Sequence, residues 1–406
     1  MSDTSTRSLW AGRSLALLGI LLVAANLRTA VAALSPIVTQ VNADIPLGAV
    51  AIGVLGMLPP VCFAVFGIFT PVFTRRWGLE RVLIYSLVAI LVGHILRGSS
   101  GSLAWLLIGS VITFAGLGVG NVLLPPLVKK YFPDRVGLVT SLYVTVVSFS
   151  TFVPPLVAVP VADDAGWRIS LGMWAVLALV ALVPWITMLV RHRTSSLPSP
   201  VVEEAEPTIL GRIWRSSIAW AIAVVFAVSS LNAYALFAWL PQLLMQSAGV
   251  SAGEAGTLLS LYAAMGIPSA LIIPVLTARM KNLGLLVYVG VLVFVVGDLG
   301  LLLAPETLTW LWVALAGLGP LFFPLALVLI NLRTRTHEGS VALSGFVQSV
   351  GYTLGAVGPL VFGFLREVTG QWMWPLLFLT ATALAVTIAG AVIARPHMLE
   401  DDLAKR

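Results

Sequence analysis

Charge is scarce in this chain: Asp, Glu, Lys and Arg together supply 10% of its 406 residues, where an ordinary water-soluble domain carries about a quarter. Acids number 17, histidines four, and Cys62 is the one cysteine. A lone cysteine excludes an internal disulfide, a cysteine zinc site and an iron–sulfur cluster. The apolar runs hold no paired carboxylates, no Ser/His/Asp set and no His-x-x-x-His, and the chain has no Gly-rich loop ending in Lys-Ser or Lys-Thr to cradle a phosphate. Enzyme chemistry is therefore not expected, and no cofactor or metal is called for. Repeated filter segments and appended signalling domains are missing too, which speaks against a channel or a receptor.

What the chain does have is apolar surface. Hydrophobic residues make up 59% of it and the mean hydropathy is +1.02, so its outside must face hydrocarbon. A bilayer core about 30 Å thick takes roughly 20 apolar residues in a helix. Twelve such runs are expected, over 14–40, 48–73, 81–98, 103–128, 136–161, 168–190, 213–242, 252–277, 284–304, 308–332, 341–365 and 373–394. The chain is thus read as an all-α, multi-pass membrane protein.

Basic residues fall on alternate loops. Arg75, Arg76, Arg81, Lys129, Lys130, Arg135, Arg191, Arg193, Arg212, Arg215, Arg279, Lys281, Arg333 and Arg335 lie on one side, together with Arg7, Arg13, Arg395, Lys405 and Arg406 toward the ends, against Arg97, Arg168 and Arg366 on the other. Lys and Arg are retained in the cytoplasm during insertion, which puts both termini there and leaves Arg28 as the intramembrane cation. This loop pattern also accounts for the net charge of +6 without a nucleic-acid partner.

The longest polar interruption, 191–212, is rich in Ser, Pro and charge and reads as a cytoplasmic linker between six-helix bundles at 1–190 and 213–406. The halves echo each other: Gly116-Leu-Gly118 recurs as Gly317-Leu-Gly319, Pro154 as Pro359, and Pro36 as Pro241. Two duplicated bundles rocking about a midplane site are the general design of a secondary transporter.

Several segments carry a resemblance. They are Asn26-Leu-Arg-Thr-Ala with Ser35-Pro36, the stretch from Gly120 to Tyr143, Gly166 to Trp174, Phe237-Ala-Trp-Leu-Pro241, and Ala342 to Leu360. In these the chain resembles the major facilitator superfamily, and within it the cyanate permease and nitroimidazole transporter branch. The resemblance implies two six-helix bundles around a central cavity lined by the first, fourth, seventh and tenth helices, and a monomeric carrier of the bacterial cytoplasmic membrane. Phe73-Thr-Arg-Arg-Trp-Gly-Leu-Glu-Arg81 stands where most of the superfamily has Asp-Arg-x-Gly-Arg, with Arg75 at the acidic position.

Arg28 leads the candidate binding residues. A charge at mid-bilayer costs about 2.5–3.5 kcal/mol on insertion scales, and the cavity helices offer it no Asp or Glu. A small anionic or planar polar solute, cyanate-like or an organic anion, would supply the missing negative end. The alternative is bracing of a helix break. Asn26 lies beside it; Asn121 shares a face of the fourth span with Gly118 and Pro125. Asn232 and Trp239 share a face of the seventh with Ser229 and Leu236, with Tyr234 to one side; Gln348 and Tyr352 form a stripe with Ser344 in the eleventh. Tyr143, Trp239 and Tyr352 could form aromatic walls. Uptake of a monoanion against about 100 mV costs about 2.3 kcal/mol, so it calls for proton coupling or exchange. The rival reading is efflux of neutral drugs or nitroheterocycles.

Overall fold

The computed structural model describes residues 13–191 and 212–404. Arg7, Arg193, Lys405, Arg406 and nearly all of the expected linker lie outside the described residues. Among the described residues twelve helices are long and apolar enough to cross a membrane: α1 Ser14–Asp44, α2 Ala49–Trp77, α3 Leu79–Gly98, α4 Leu103–Tyr131, α5 Leu138–Ala165, α6 Trp167–Val190, α7 Ser217–Ser247, α8 Ala252–Thr277, α9 Gly284–Leu303, α10 Thr309–Leu332, α11 Gly339–Thr369 and α12 Met373–Ile393. Several outrun the apolar stretches that announce them. In α2 and α4 the extra turn carries Arg75 and Arg76, or Lys129 and Lys130, whose charge suits the negative C-terminal end of a helix. The α2–α3 corner is made at Gly78, whose φ of 83° is open to glycine at little cost.

Two spans pass through 3₁₀ turns. In α1 the regular helix stops at Asn26, resumes over Thr29–Ala32 and passes through a 3₁₀ turn at Ser35–Ile37, where Pro36 has no N–H to give. Side chains bond to backbone carbonyls beside the break: Thr29 Oγ1 donates to Asn26 O at 3.0 Å, and Asn26 Nδ2 to Leu22 O at 2.8 Å. In α10 a 3₁₀ turn at Gly319–Leu321 surrounds Pro320.

The first six and last six spans meet chiefly through α2 on α11 and α5 on α8. Both seams are tight at the face that carries the α1–α2 and α7–α8 connections, called here the outer face. There a Cβ on Gly56 would fall 2.7 Å from Ala238 Cβ and 2.9 Å from Pro359 Cβ, and one on Gly256 would fall 2.7 Å from the Pro155 carbonyl oxygen. Trp239 Nε1 donates to Pro359 O at 3.0 Å within an aromatic group completed by Phe362 and Trp372. Toward the opposite face, which bears the α10–α11 connection, the halves separate, and Gly345 of α11 has nothing within 4 Å.

The Gly-Leu-Gly echo is a packing device with its order reversed. Gly116 lies against Ser86 and Ile90 of α3 and Gly118 against Cys62 and Phe63 of α2, whereas Gly317 lies against Tyr262 of α8 and Gly319 against Phe294 of α9.

Candidate functional site

The gap between the halves holds two adjoining cavities. The upper, of about 450 Å³, has Arg28 and Val31 of α1 on one wall and Ser229, Ser230, Tyr234 and Phe237 of α7 on another; α5, α8 and α10 close it, and Tyr352 forms part of its floor. The lower, of about 510 Å³, is lined by Phe63, Gly118, Asn121, Ser344, Gln348 and Tyr352 and reaches Asn331 and Ser340 beside the α10–α11 connection. Tyr352 belongs to both. The lining thus draws on α2, α5, α8 and α11 as well as on the four spans expected.

Arg28 sits at the interruption of α1, with φ −124° and ψ −4°. Its guanidinium lies 5.2 Å from the centroid of the Phe63 ring, an arrangement worth about 0.5–2 kcal/mol according to desolvation. The hydroxyls of Tyr352 and Tyr234 are near enough to feel its charge, Tyr352 as a hydrogen-bond neighbour. One nitrogen, Nη1, is buried with no hydrogen-bond partner. No described carboxylate forms an ion pair with it; Asp298, the buried acid of α9, has both oxygens without a hydrogen bond. The site is a cation under aromatic walls with donor capacity to spare.

Among the other residues singled out from sequence, Tyr234 and Tyr352 join Arg28 in the upper cavity, and Asn121 and Gln348 face the lower one, where Gln348 Nε2 donates to Ser344 Oγ at 2.8 Å. Asn26 and Asn232 are buried and turned away. Asn26 Nδ2 also approaches Leu177 O of α6 at 3.4 Å, and Asn232 Nδ2 bonds Val228 O at 3.0 Å and Thr382 Oγ1 of α12 at 3.2 Å. Trp239 is buried in the outer seal, and Tyr143 is half-buried against the core of the first six spans. The face expected to present Ser229, Asn232 and Trp239 together is therefore split, because a side-chain amide can satisfy itself on the carbonyl one turn back and need not point at water. The cavity stripe of α7 runs instead through Ser230, Ala233, Tyr234 and Phe237.

Arg97 requires a correction. Sequence placed it in the sparsely charged outer loops and left Arg28 as the one intramembrane cation, but Arg97 lies within α3, is 1% exposed and directs Nη1 and Nη2 at Ala30 O, each at 3.4 Å. It sits in the last turn of α3, where hydropathy alone cannot tell a loop cation from one folded inward. Phe63, Phe237 and Tyr262 were missed for the opposite reason: apolar and aromatic side chains in a membrane helix look alike whether they face lipid or cargo.

At the expected gating loop, Arg75 and Arg76 close α2, and the acid of the segment, Glu80, accepts from Lys130 Nζ at 2.5 Å and from the Tyr131 hydroxyl at 2.8 Å. That ion pair ties the start of α3 to the end of α4 and lies wholly within the first six spans.

Comparison with known proteins agrees with this architecture. The family model of the Major Facilitator Superfamily matches residues 16–319. The chain is 34% identical to the Bacillus subtilis transporter YycB over 94% of both chains. It is 31% identical to the 2-nitroimidazole transporter of Escherichia coli, covering 93% of this chain and 94% of that one, and 26% identical to the Escherichia coli cyanate transport protein CynX, covering 88% and 91%. With twelve membrane-length helices among the described residues, a cavity between their halves and a family match of this extent, the chain is a membrane transporter of small solutes and belongs to the major facilitator superfamily.

Proposed function

We propose that this protein is a secondary active transporter that carries a small anionic or planar polar solute across the bacterial cytoplasmic membrane by alternating access, with Arg28 holding the negative end of the cargo. The observation that carries this reading is the buried, partnerless Nη1 of Arg28 in a cavity to which no described carboxylate contributes. An unmatched cation in a low-dielectric cavity is costly, and a cargo bearing the complementary charge removes the cost when it binds. Phe63, Tyr234 and Tyr352 supply flat walls for a planar solute.

In this reading the two six-helix bundles joined at 191–212 rock about the cavity, and the structure is the form sealed on the outer side, with the α10–α11 face in the cytoplasm. Uptake of an anion proceeds with a proton or by exchange. A second reading, efflux of neutral nitroheterocycles, is favoured by the apolar walls of the upper cavity, among them Val144, Val147, Phe237 and Phe323, and by the named cargo of the 2-nitroimidazole relative.

Counterflow into proteoliposomes separates the two. Saturable exchange of cyanate or nitrite is expected, with Arg28→Ala lowering kcat/KM by about 100-fold, in line with loss of a charge-assisted hydrogen bond and its ion pairing. Competition by 2-nitroimidazole but by neither anion, with transport unaltered in Arg28→Ala, would transfer the function to the neutral cargo.

A further inference from the structure

Bracing the α1 break leaves part of the donor set of Arg97 unused. Its guanidinium reaches Ala30 O with its two terminal nitrogens, leaving Nε buried without a partner. Among the buried side chains that share that condition are two neighbours of Arg97: Ser35 Oγ, on a residue 5% exposed, and Ser110 Oγ, on one that is 0% exposed. Buried hydroxyls usually find acceptors, as Thr113, one turn beyond Ser110, does on Gly109 O at 2.8 Å. The three residues that carry these groups instead line one small cavity of about 30 Å³. That is room for about one water, walled by Phe114 with its ring centroid 5.7 Å from the guanidinium.

This cavity lies on the outer side of the Arg28 chamber and is divided from it by Val31 and Phe237, which line both. A short piece of α1 connects the two cations, with Arg28 at its start and Ala30 held by Arg97 two residues on. A positive charge flanked by two free hydroxyls is a donor set for a small oxyanion or pseudohalide: the guanidinium supplies charge and a directed N–H, and the serines supply two further donors.

We propose that Arg97, Ser35 and Ser110 form a second anion site on the outer side of the α1 break, occupied when the outer seam parts, from which cargo passes to Arg28 once Val31 and Phe237 move aside. In the sealed form the site has shrunk to the volume of a water. The proposal rests on the anionic reading of the Arg28 chamber for the identity of the cargo, but its residues and its cavity are separate.

The test is nitrite-dependent thermal stabilisation of the purified full-length protein, against chloride at equal ionic strength, in wild type, Arg28→Ala, Ser110→Ala and the double variant. Ser110→Ala leaves the Arg97 to Ala30 bonds in place, so its fold is expected to be intact, and its melting point without nitrite checks this. Two saturable components are expected in wild type. Arg28→Ala removes one; Ser110→Ala weakens the other by about tenfold, the worth of a hydrogen bond to a charged group; the double variant retains little. If Arg28→Ala abolishes all stabilisation, the second site is overturned and the Arg28 reading stands. Stabilisation that survives Arg28→Ala in full and is lost in Ser110→Ala leaves the second site standing and removes the cargo role of Arg28. No nitrite effect in any protein overturns both.

Discussion

Asn26 in α1 and Asn232 in α7 make the same pair of hydrogen bonds. Each side-chain amide donates to the carbonyl four residues back, Leu22 or Val228, and reaches across to the closing span of its own six, Leu177 of α6 or Thr382 of α12. Two residues beyond each amide stand Arg28 and Tyr234, which face each other across the upper cavity. The internal echo thus extends to the cavity wall: one scaffold position, used twice, places a cation from one half and a phenol from the other.

Tyr352 should be divisible into ring and hydroxyl. Its ring meets Phe63 edge-on at 6.1 Å and Phe226 at 5.1 Å. Tyr352→Phe keeps those contacts, and the expected outcome is a KM for anion counterflow raised about 3- to 10-fold with the melting point little changed. Tyr352→Ala removes the wall between the cavities as well and should cost about 3–5 kcal/mol in stability, read as a lowered melting temperature.

The outer seal should yield to a single side chain. With Ala238 and Pro359 already at 2.7 and 2.9 Å from a Cβ at Gly56, Gly56→Leu holds the seam apart. In a Cys62→Ser background, Val38→Cys should then react with a membrane-impermeant maleimide at least tenfold faster; an unchanged rate would mean that the seam re-forms around the leucine.

Two glycines of α11 should behave differently. A Cβ at Gly351 would fall 2.1 Å from Phe226 Cδ1, whereas Gly345 faces open space. Gly351→Ala is expected to destabilise by about 1–3 kcal/mol through overpacking, and Gly345→Ala to leave the melting point within error. Thermal unfolding of both in one detergent checks the contrast.

Acid should loosen the helix that follows α12. Within Leu399–Ala404, Asp402 accepts from Ser216 Oγ at 2.8 Å and Ser217 N at 3.0 Å and pairs with His397, while Glu400 accepts from the backbone of Arg335 and Thr336. Burial alone would raise the Asp402 carboxyl, but the bonds from His397 and Ser216 outweigh it and hold it below its usual value. A folded-state value below the unfolded one gives stability that is present above the unfolded carboxylate range of about 4 and is lost as pH falls through the folded value. Asp402→Asn should lower the melting point at pH 7 by the equivalent of about 1 kcal/mol after solvent screening, and the gap from wild type should close on acidification below about pH 4.

Much of this was legible in the residues because lipid imposes a simple rule. Every span had to be apolar and about one bilayer long, so twelve runs gave twelve helices, and lone Arg28 stood out as a cost needing a reason. The polar stripe Ser344, Gln348 and Tyr352 was legible too, since helical spacing aligned it, and all three line the lower cavity. What sequence hid was direction. Asn232 and Trp239 carry polar groups yet bond neighbouring helices, Arg97 lies in a helix end yet turns inward, and Phe63 lies under the Arg28 guanidinium with no polar atom to announce it.

The partnerless nitrogen of Arg28 also bears on the rhythm of the cycle. On the proposed reading, an empty carrier must pass through its closed intermediates with an uncompensated positive charge, whereas a loaded one passes through neutralised. Turning over without a passenger is then the slow leg, and the protein should swap one solute for another faster than it fills a compartment.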